Sequence, residues 1–346
     1  MSSFDRLRKH IGYLGKYPGI IPRVVENYWR LMLRGEPRLK GLEFALTFAC
    51  QCSCEHCSAA LLRRKDRPEL TLPQIKRVLG EAHRLGALNV NLTGGEFMLR
   101  RDARQIVEAA SPRDTVVSVA TNGLTITPQA ARDMAQWGVR IVTISLDSAD
   151  PQIHDAGRNH QGCHAAALRA ADLLKQQGVE VFFCTILTRR NAADGDIFRM
   201  IEIANQRDCM LTINMPCPVG RWSAADIGLD EGGRRLHREL LSVPHVRWEG
   251  YSNYASVGCP MGIEKLYISP YGDVMPCNFL HIGFGDLRKQ TLGEIWSLML
   301  TRSPFNRIVD GCPVSSDQQF IERFVEPLWD SDQLPLDWRQ HPAFRH

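Results

Sequence analysis

No apolar run in this 346-residue chain approaches the roughly 20 residues that a membrane-spanning helix needs. The first residues, MSSFDRLRKHIGYLGKYPG, lack the continuous apolar stretch and small-residue cleavage site of a secretory leader. Low-complexity segments are absent. So is a basic platform for nucleic acid: nine Lys/Arg against three acids fall in residues 1–40, and with a net charge of +4 the remaining body sums to −2. Hydrophobic residues at 44% and charged residues at 23% exclude disorder, collagen and coiled coil. The expectation is a cytoplasmic protein of one large α/β unit or two domains.

What the chain has in number is cysteine, eleven in all, at positions 50, 52, 54, 57, 163, 184, 209, 217, 259, 277 and 312. A secreted disulfide scaffold is short and even-numbered, and this chain is neither. Clustered cysteines in a reducing compartment point to metal or catalysis.

From residue 43 short β-rich runs alternate with amphipathic helical stretches. The runs are 43–48, 88–92, 115–120, 139–146, 179–187 and 209–214. In 72–86, Ile75, Val78, Leu79, Ala82 and Leu85 share a face, Thr71 and Gln74 form a capping box, and Gly86 stops the helix. Helices over 128–137 and 164–177 end at Gly138 and Gly178. Six βα units imply a parallel sheet with functional loops at the strand C-termini, as a partial barrel or an open sheet. After residue 222 the rhythm changes: 266–277 reads as a hairpin, 291–301 as a helix, and 330–346 carries no assigned structure. The basic leader places Val24, Val25, Tyr28, Leu31 and Met32 at helical spacing after Pro22, predicting a helix docked on the body with a wet basic face, or a membrane-surface or acidic-partner contact.

The loop after the first strand reads Cys50-Gln-Cys-Ser-Cys54-Glu-His-Cys57. Three close thiolates suit three irons of a [4Fe–4S] cluster, with one iron left open. A zinc knuckle completed by Cys52 or His56 is the competing reading. Strand 2 ends in Thr93-Gly94-Gly95-Glu96, strand 3 in Thr121-Asn122-Gly123 and strand 4 in Ser145-Leu146-Asp147. Gly94 and Gly95 allow a close backbone approach to a ligand, Glu96 suits an ammonium, and Ser145 or Asp147 suits hydroxyls. Each is weak alone, but in this order behind the cysteine triad they form one signal.

On these motifs, together with Asn191 after strand 5, residues 43–222 resemble the radical S-adenosylmethionine (SAM) enzymes. The resemblance implies a partial (β/α)6 barrel, a [4Fe–4S] cluster on Cys50, Cys54 and Cys57, and SAM chelating its open iron. It further implies cofactor contacts from Gly94, Gly95, Glu96, Asn122, Ser145, Asp147 and Arg158, with His56 as a flat ring before the last cysteine. The activity implied is reductive cleavage of SAM to a 5′-deoxyadenosyl radical that abstracts a substrate hydrogen, fed by a flavodoxin- or ferredoxin-type electron donor. Arg221 is a second candidate for a SAM contact, against a surface salt bridge.

Cys259 and Cys277 bracket the hairpin, and Cys312 follows, with Ser315 where a Cys-x2-Cys pair would place its second thiol. This resembles a shortened SPASM or twitch extension, a small α+β region with an auxiliary cluster. Three readings stand: a cluster on Cys259, Cys277 and Cys312 with an open iron; the same with Cys217 as fourth ligand; or a cluster-free relic. Cys163, Cys184 and Cys209 read as packing, with Cys163 or Cys217 as a possible hydrogen donor to a substrate radical. Trp222, Tyr251 and Tyr254 are candidates for a substrate pocket or for core. The domain expectation is 1–42 a basic helical segment, 43–222 the barrel and 223–346 the extension. The substrate expectation is a small biosynthetic molecule, with maturation of a ribosomally made peptide as alternative and a non-catalytic iron–sulfur or zinc module as the remaining one.

Overall fold

The computed structural model describes residues 15–254 and 258–345. Helix α1 (Ile21–Arg34) precedes β1 (Gly41–Thr47). Then come α2 (Leu72–Leu85), β2 (Asn89–Gly94), α3 (Ala103–Ala109), β3 (Val116–Thr121), α4 (Pro128–Trp137) and β4 (Ile141–Ser145). Helices α5 (Pro151–Arg158) and α6 (Cys163–Gln176) lead to β5 (Glu180–Ile186), and α7 (Arg189–Ala193) and α8 (Asp196–Gln206) to β6 (Met210–Asn214). Strands β1 to β6 lie in sequence order and pair parallel throughout. The core fills both faces: Phe44, Leu92, Val119, Ile144, Phe183 and Ile213 are buried in successive strands. Each of the six predicted strands is present, with ends moved by at most two residues.

The local signals act as the sequence implies. The capping box of Thr71 and Gln74 opens α2, and Gly86 closes it at φ +108. Asp150 caps α5, a helix the periodicity missed because it is only two turns long, by accepting from Gln152 N at 2.8 Å.

Beyond β6 lie α9 (Glu231–Leu240) and β7 (Val246–Arg247), which extends the sheet past β6. The hairpin is present as β8 (Lys265–Ile268) and β9 (Asp273–Met275), and β8 pairs parallel with β1. Strands β10 (Ile282–Gly283) and β11 (Gly285–Asp286) precede α10 (Leu292–Leu300). The full order is β11-β9-β8-β1-β2-β3-β4-β5-β6-β7, one ten-stranded sheet.

Two expectations change. The tail has structure: β12 (Leu336–Asp337) pairs with β10, and Trp338 and Phe344 pack on Phe284. Tertiary burial of aromatics organises a segment with no periodicity of its own. Helix α1 docks through Asn27, whose Nδ2 donates to Gly86 O and Tyr254 Oη at 2.7 Å each, and through Arg23, which donates to His83 O at 2.6 Å. Its wet face is not simply basic, since Val25, Met32 and Leu33 are 63%, 73% and 75% exposed. Residues 1–14, which hold three of the leader's basic side chains, lie outside the described residues.

Candidate cluster and cofactor site

The cysteine loop, Gly95-Glu96, Asn122, Asp147, Asn191 and Cys217 all follow strand C-termini, so the topology brings them to one edge of the sheet. Gly94 and Gly95 are crowded by the protein's own backbone. A Cβ on Gly94 (φ +136) would run into Thr47 O, and one on Gly95 into Ala49 O. Gly95 N donates to Thr47 O at 2.7 Å and Glu96 N to Ala49 O at 2.9 Å, which fastens the start of the cysteine loop to the end of β2. The glycines are therefore needed for approach of one loop to another, rather than only to a ligand.

Glu96 departs from the expected direct hold on an ammonium. Its side chain meets no solvent. It accepts from Thr121 Oγ1 at 2.9 Å, Asn122 N at 3.0 Å and Thr125 Oγ1 at 3.2 Å. Burial pushes its carboxyl up to about 7 against these donors. Glu96 fixes the turn after β3, and that turn aims Asn122 at the cluster loop: Asn122 Nδ2 donates to Cys50 Sγ at 3.7 Å and to Gln51 Oε1 at 3.3 Å.

Arg158 Nε donates to Asp147 Oδ2 at 2.6 Å, and its Nη1 to Cys54 Sγ at 3.6 Å. Burial would raise the Asp147 carboxyl, but the Arg158 guanidinium outweighs it and holds the group well below the carboxylate range. Burial keeps His56 neutral, down to about 4. Its ring leans on Trp222 at 5.6 Å and its Nε2 stands 3.6 Å from Asp147. Ser145 is the last residue of β4, in register with Cys184. Asn191 is a cap: its backbone and side chain close a capping box with Thr188, and Nδ2 donates to Ile186 O at 2.9 Å.

Cys52 packs with Cys50, Cys54, Cys57 and Cys163. It is buried, with its Sγ 4.0 Å from that of Cys163, and it keeps its proton while donating toward its neighbours. The Cys52 side chain beside them pulls Cys50 and Cys54 down toward the thiolate, the form a metal takes, with Asn122 and Arg158 assisting. Among the described residues no three ligating side chains gather at single-ion spacing. A four-iron cube holds its thiolates farther apart than one ion does, and an all-sulfur donor set suits such a cube.

Several expectations are corrected. Cys163 is fully buried against Cys52 and the Asn122 carbonyl, so no substrate radical reaches it as a hydrogen donor. Arg221 is neither a free cofactor contact nor a surface ion pair. It donates to Ser53 O and Ser53 Oγ at 2.6 Å each, and so staples the cysteine loop. Tyr254 is core packing under α1, and the Tyr251 side chain lies outside the described part. Trp222 does line a cleft, of about 300 Å³, with Glu55, His56, Asp147, Ile186, Thr188, Arg189, Arg190, Asn191, Pro216, Asp226 and Ile227. Sequence reading missed Arg189 and Arg190, which carry no motif; their place after β5 was the available signal.

At the second group, Cys259 N donates to Val309 O at 2.7 Å, and Cys277 follows β9. Cys312 precedes a short helical turn, Pro313–Ser316. Cys217 is buried, and its thiol donates to Met215 O at 3.7 Å.

A family model described as the radical SAM superfamily matches residues 44–201, and one described as an iron–sulfur cluster-binding domain, SPASM, matches residues 259–313. The chain is 30% identical over 277 residues to the mycofactocin maturase MftC of Mycolicibacterium smegmatis, covering 75% of this chain and 68% of that protein. It is 27% identical over 319 residues to an AdoMet-dependent heme synthase of Oleidesulfovibrio alaskensis, covering 82% and 79%. Among solved structures, SuiB of Streptococcus suis bound to its precursor peptide SuiA superposes with a TM-score of 0.63 at 16% identity, covering 87% of this chain and 70% of that one.

Proposed function

The chain belongs to the radical SAM superfamily and carries an iron–sulfur cluster-binding SPASM domain, and on that basis we propose that it is a maturase acting on a ribosomally made peptide. The family requires a [4Fe–4S] cluster and SAM, with further iron–sulfur at the SPASM region. The observation that carries the peptide reading is 30% identity to a named maturase sustained over 75% of the chain. The charged rim of the cleft, with Glu55, Arg189, Arg190 and Asp226, also suits a polar chain better than an apolar small molecule.

In this reading Cys50, Cys54 and Cys57 would hold the first cluster. With SAM bound there, it supplies a 5′-deoxyadenosyl radical able to abstract a hydrogen from an unactivated carbon. The residues of the chain do the rest. Asn122 and Arg158 donate to the sulfurs of Cys50 and Cys54, which stabilises negative charge on them and tunes the ease of reduction. Asp147, held ionised by Arg158, faces the cleft beside His56 and offers an acceptor for hydroxyls of a cofactor. His56 and Trp222 wall the cleft and limit water. An electron donor of flavodoxin or ferredoxin type belongs to this reading.

The second reading, a small tetrapyrrole-like substrate, is favoured by the heme synthase likeness over 82% of the chain. Anaerobic assays separate the two. With dithionite and SAM, a precursor peptide encoded beside the gene should raise 5′-deoxyadenosine formation and change mass by loss of hydrogens. Stimulation by a porphyrin, with none by the peptide, would overturn the maturase reading.

A further inference from the structure

Helix α1 (Ile21–Arg34) turns an apolar side to solvent. Polar groups hold it to the body, with Val24 packed beside them. Arg23 donates to His83 O at 2.6 Å and to Thr115 Oγ1 at 3.0 Å, Asn27 is buried and donates to Gly86 O, and Tyr28 Oη donates to Tyr254 O at 3.0 Å. On the outward side Ile21, Val25, Trp29, Met32 and Leu33 are all exposed, and their spacing sets them on one face with no charge among them. Nine large hydrophobic side chains are exposed among the described residues, and these are five of them. Exposed apolar groups gathered in this way mark a contact surface, whereas single scattered ones do not. The charge beside the face is positive: over residues 15–40, Lys16, Arg23, Arg30, Arg34, Arg38 and Lys40 stand against Glu26 and Glu36. Arg34 lies over the Trp29 ring, 4.3 Å from its centroid, so a cation borders the apolar strip itself.

We propose that α1 docks the protein on an anionic lipid bilayer, lying in the plane of the headgroups with Ile21, Val25, Trp29, Met32 and Leu33 turned toward the acyl chains. At 14 residues the helix is too short to span a bilayer. A basic flank and an apolar face that carries tryptophan are what an interfacial helix offers to such a surface, the cations meeting the anionic headgroups. A second copy of the chain fits less well. The helix is about 21 Å long and about 10 Å wide, so its outer face supplies roughly 200 Å², against the roughly 800 Å² per partner of a stable interface. The docking face also leaves the chemistry free. Lys16 and α1 meet Glu180, Thr115 and Gly86, which lie at or just before the starts of β5, β3 and β2. The cysteine loop and the cleft lie at the opposite strand ends, so a protein seated on α1 keeps its mouth toward solvent. The proposal does not depend on which substrate the cleft takes.

The test is sedimentation of the full chain with vesicles of phosphatidylcholine alone and of phosphatidylcholine mixed with phosphatidylglycerol. The protein should pellet with the anionic vesicles, less so at high salt, and stay in the supernatant with the neutral ones. Val25→Ser, Met32→Ser and Leu33→Ser together should weaken vesicle binding about tenfold or more. Phe198→Ser, which removes an exposed apolar side chain from α8, should change nothing. In a second measurement, bromine-labelled anionic lipids should quench tryptophan fluorescence of the parent. Trp29→Phe should pellet as the parent does and lose that quenching. A parent that does not pellet, that pellets equally with neutral vesicles, or whose pelleting survives in the triple variant overturns the proposal. A dimer seen by light scattering that the triple variant dissolves, with no vesicle binding, assigns the face to a second copy and overturns it as well. If the triple variant does not fold, the quenching decides, and quenching that persists in Trp29→Phe refutes contact through α1.

Discussion

Replacing Arg158 by alanine tests the electrostatics of the first site most directly. The Arg158–Asp147 pair is short, 2.6 Å from Nε to Oδ2, and its side chains are 10% and 20% exposed. At an effective dielectric near 20, charges at this distance attract by about 6 kcal/mol before desolvation is counted. What truncation removes is governed by the charge left behind. Burial, the largest influence on His56, still opposes its taking a proton, so Asp147 is left without its guanidinium partner. Stranding one partner of a buried pair costs about 3–5 kcal/mol. Replacing both, as Arg158→Met with Asp147→Leu, should cost far less, because no charge is stranded. The assay is urea unfolding of cluster-free protein at pH 7.5, with the two single variants and the double variant forming a cycle. Lowering the pH toward 5 should recover part of the loss in Arg158→Ala alone, since its Asp147 can then take up a proton. A single variant no less stable than the double one, or a loss that does not ease in acid, would refute the reasoning.

Further outcomes follow from the same geometry. Gly95→Ala drives a Cβ into Ala49 O, so the cysteine loop must shift; reconstituted iron should fall by about four per chain in a colorimetric assay, with the second cluster retained. Cys54→Ala should abolish 5′-deoxyadenosine formation measured by chromatography, whereas Cys163→Ser should leave it largely intact. The Glu96 carboxyl is raised from 4.5 to about 7, so its contribution to stability is whole below about pH 4.5 and is lost as pH rises through about 7. Unfolding midpoints of cluster-free protein across that window should decline in the parent and flatten in Glu96→Gln.

Much of this was legible in the chain. Strand runs such as VRIVTISL showed burial on both faces, and Thr71, Gln74 and Gly86 marked one helix to the residue, because caps and periodicity act locally. The cysteine spacing and the strand-end motifs named the chemistry. What the sequence did not show was which partner each group would meet. Arg221 read as a cofactor contact or a surface ion pair until its loop carried it onto Ser53, and Glu96 looked like a ligand contact until Thr121 and Asn122 surrounded it. The tail had no period to read, since its order comes from aromatic packing on Phe284.

Strand β8 lies directly beside β1, with Lys265 opposite Gly41. Until the ribosome has made the hairpin, β1 is an uncovered edge, with its row of amides and carbonyls free to recruit any extended chain. A fragment ending at residue 222 would keep that edge for good. Expression trials that trim the C-terminal region to obtain a minimal barrel should therefore yield aggregates, and co-expression of the missing piece is the natural remedy.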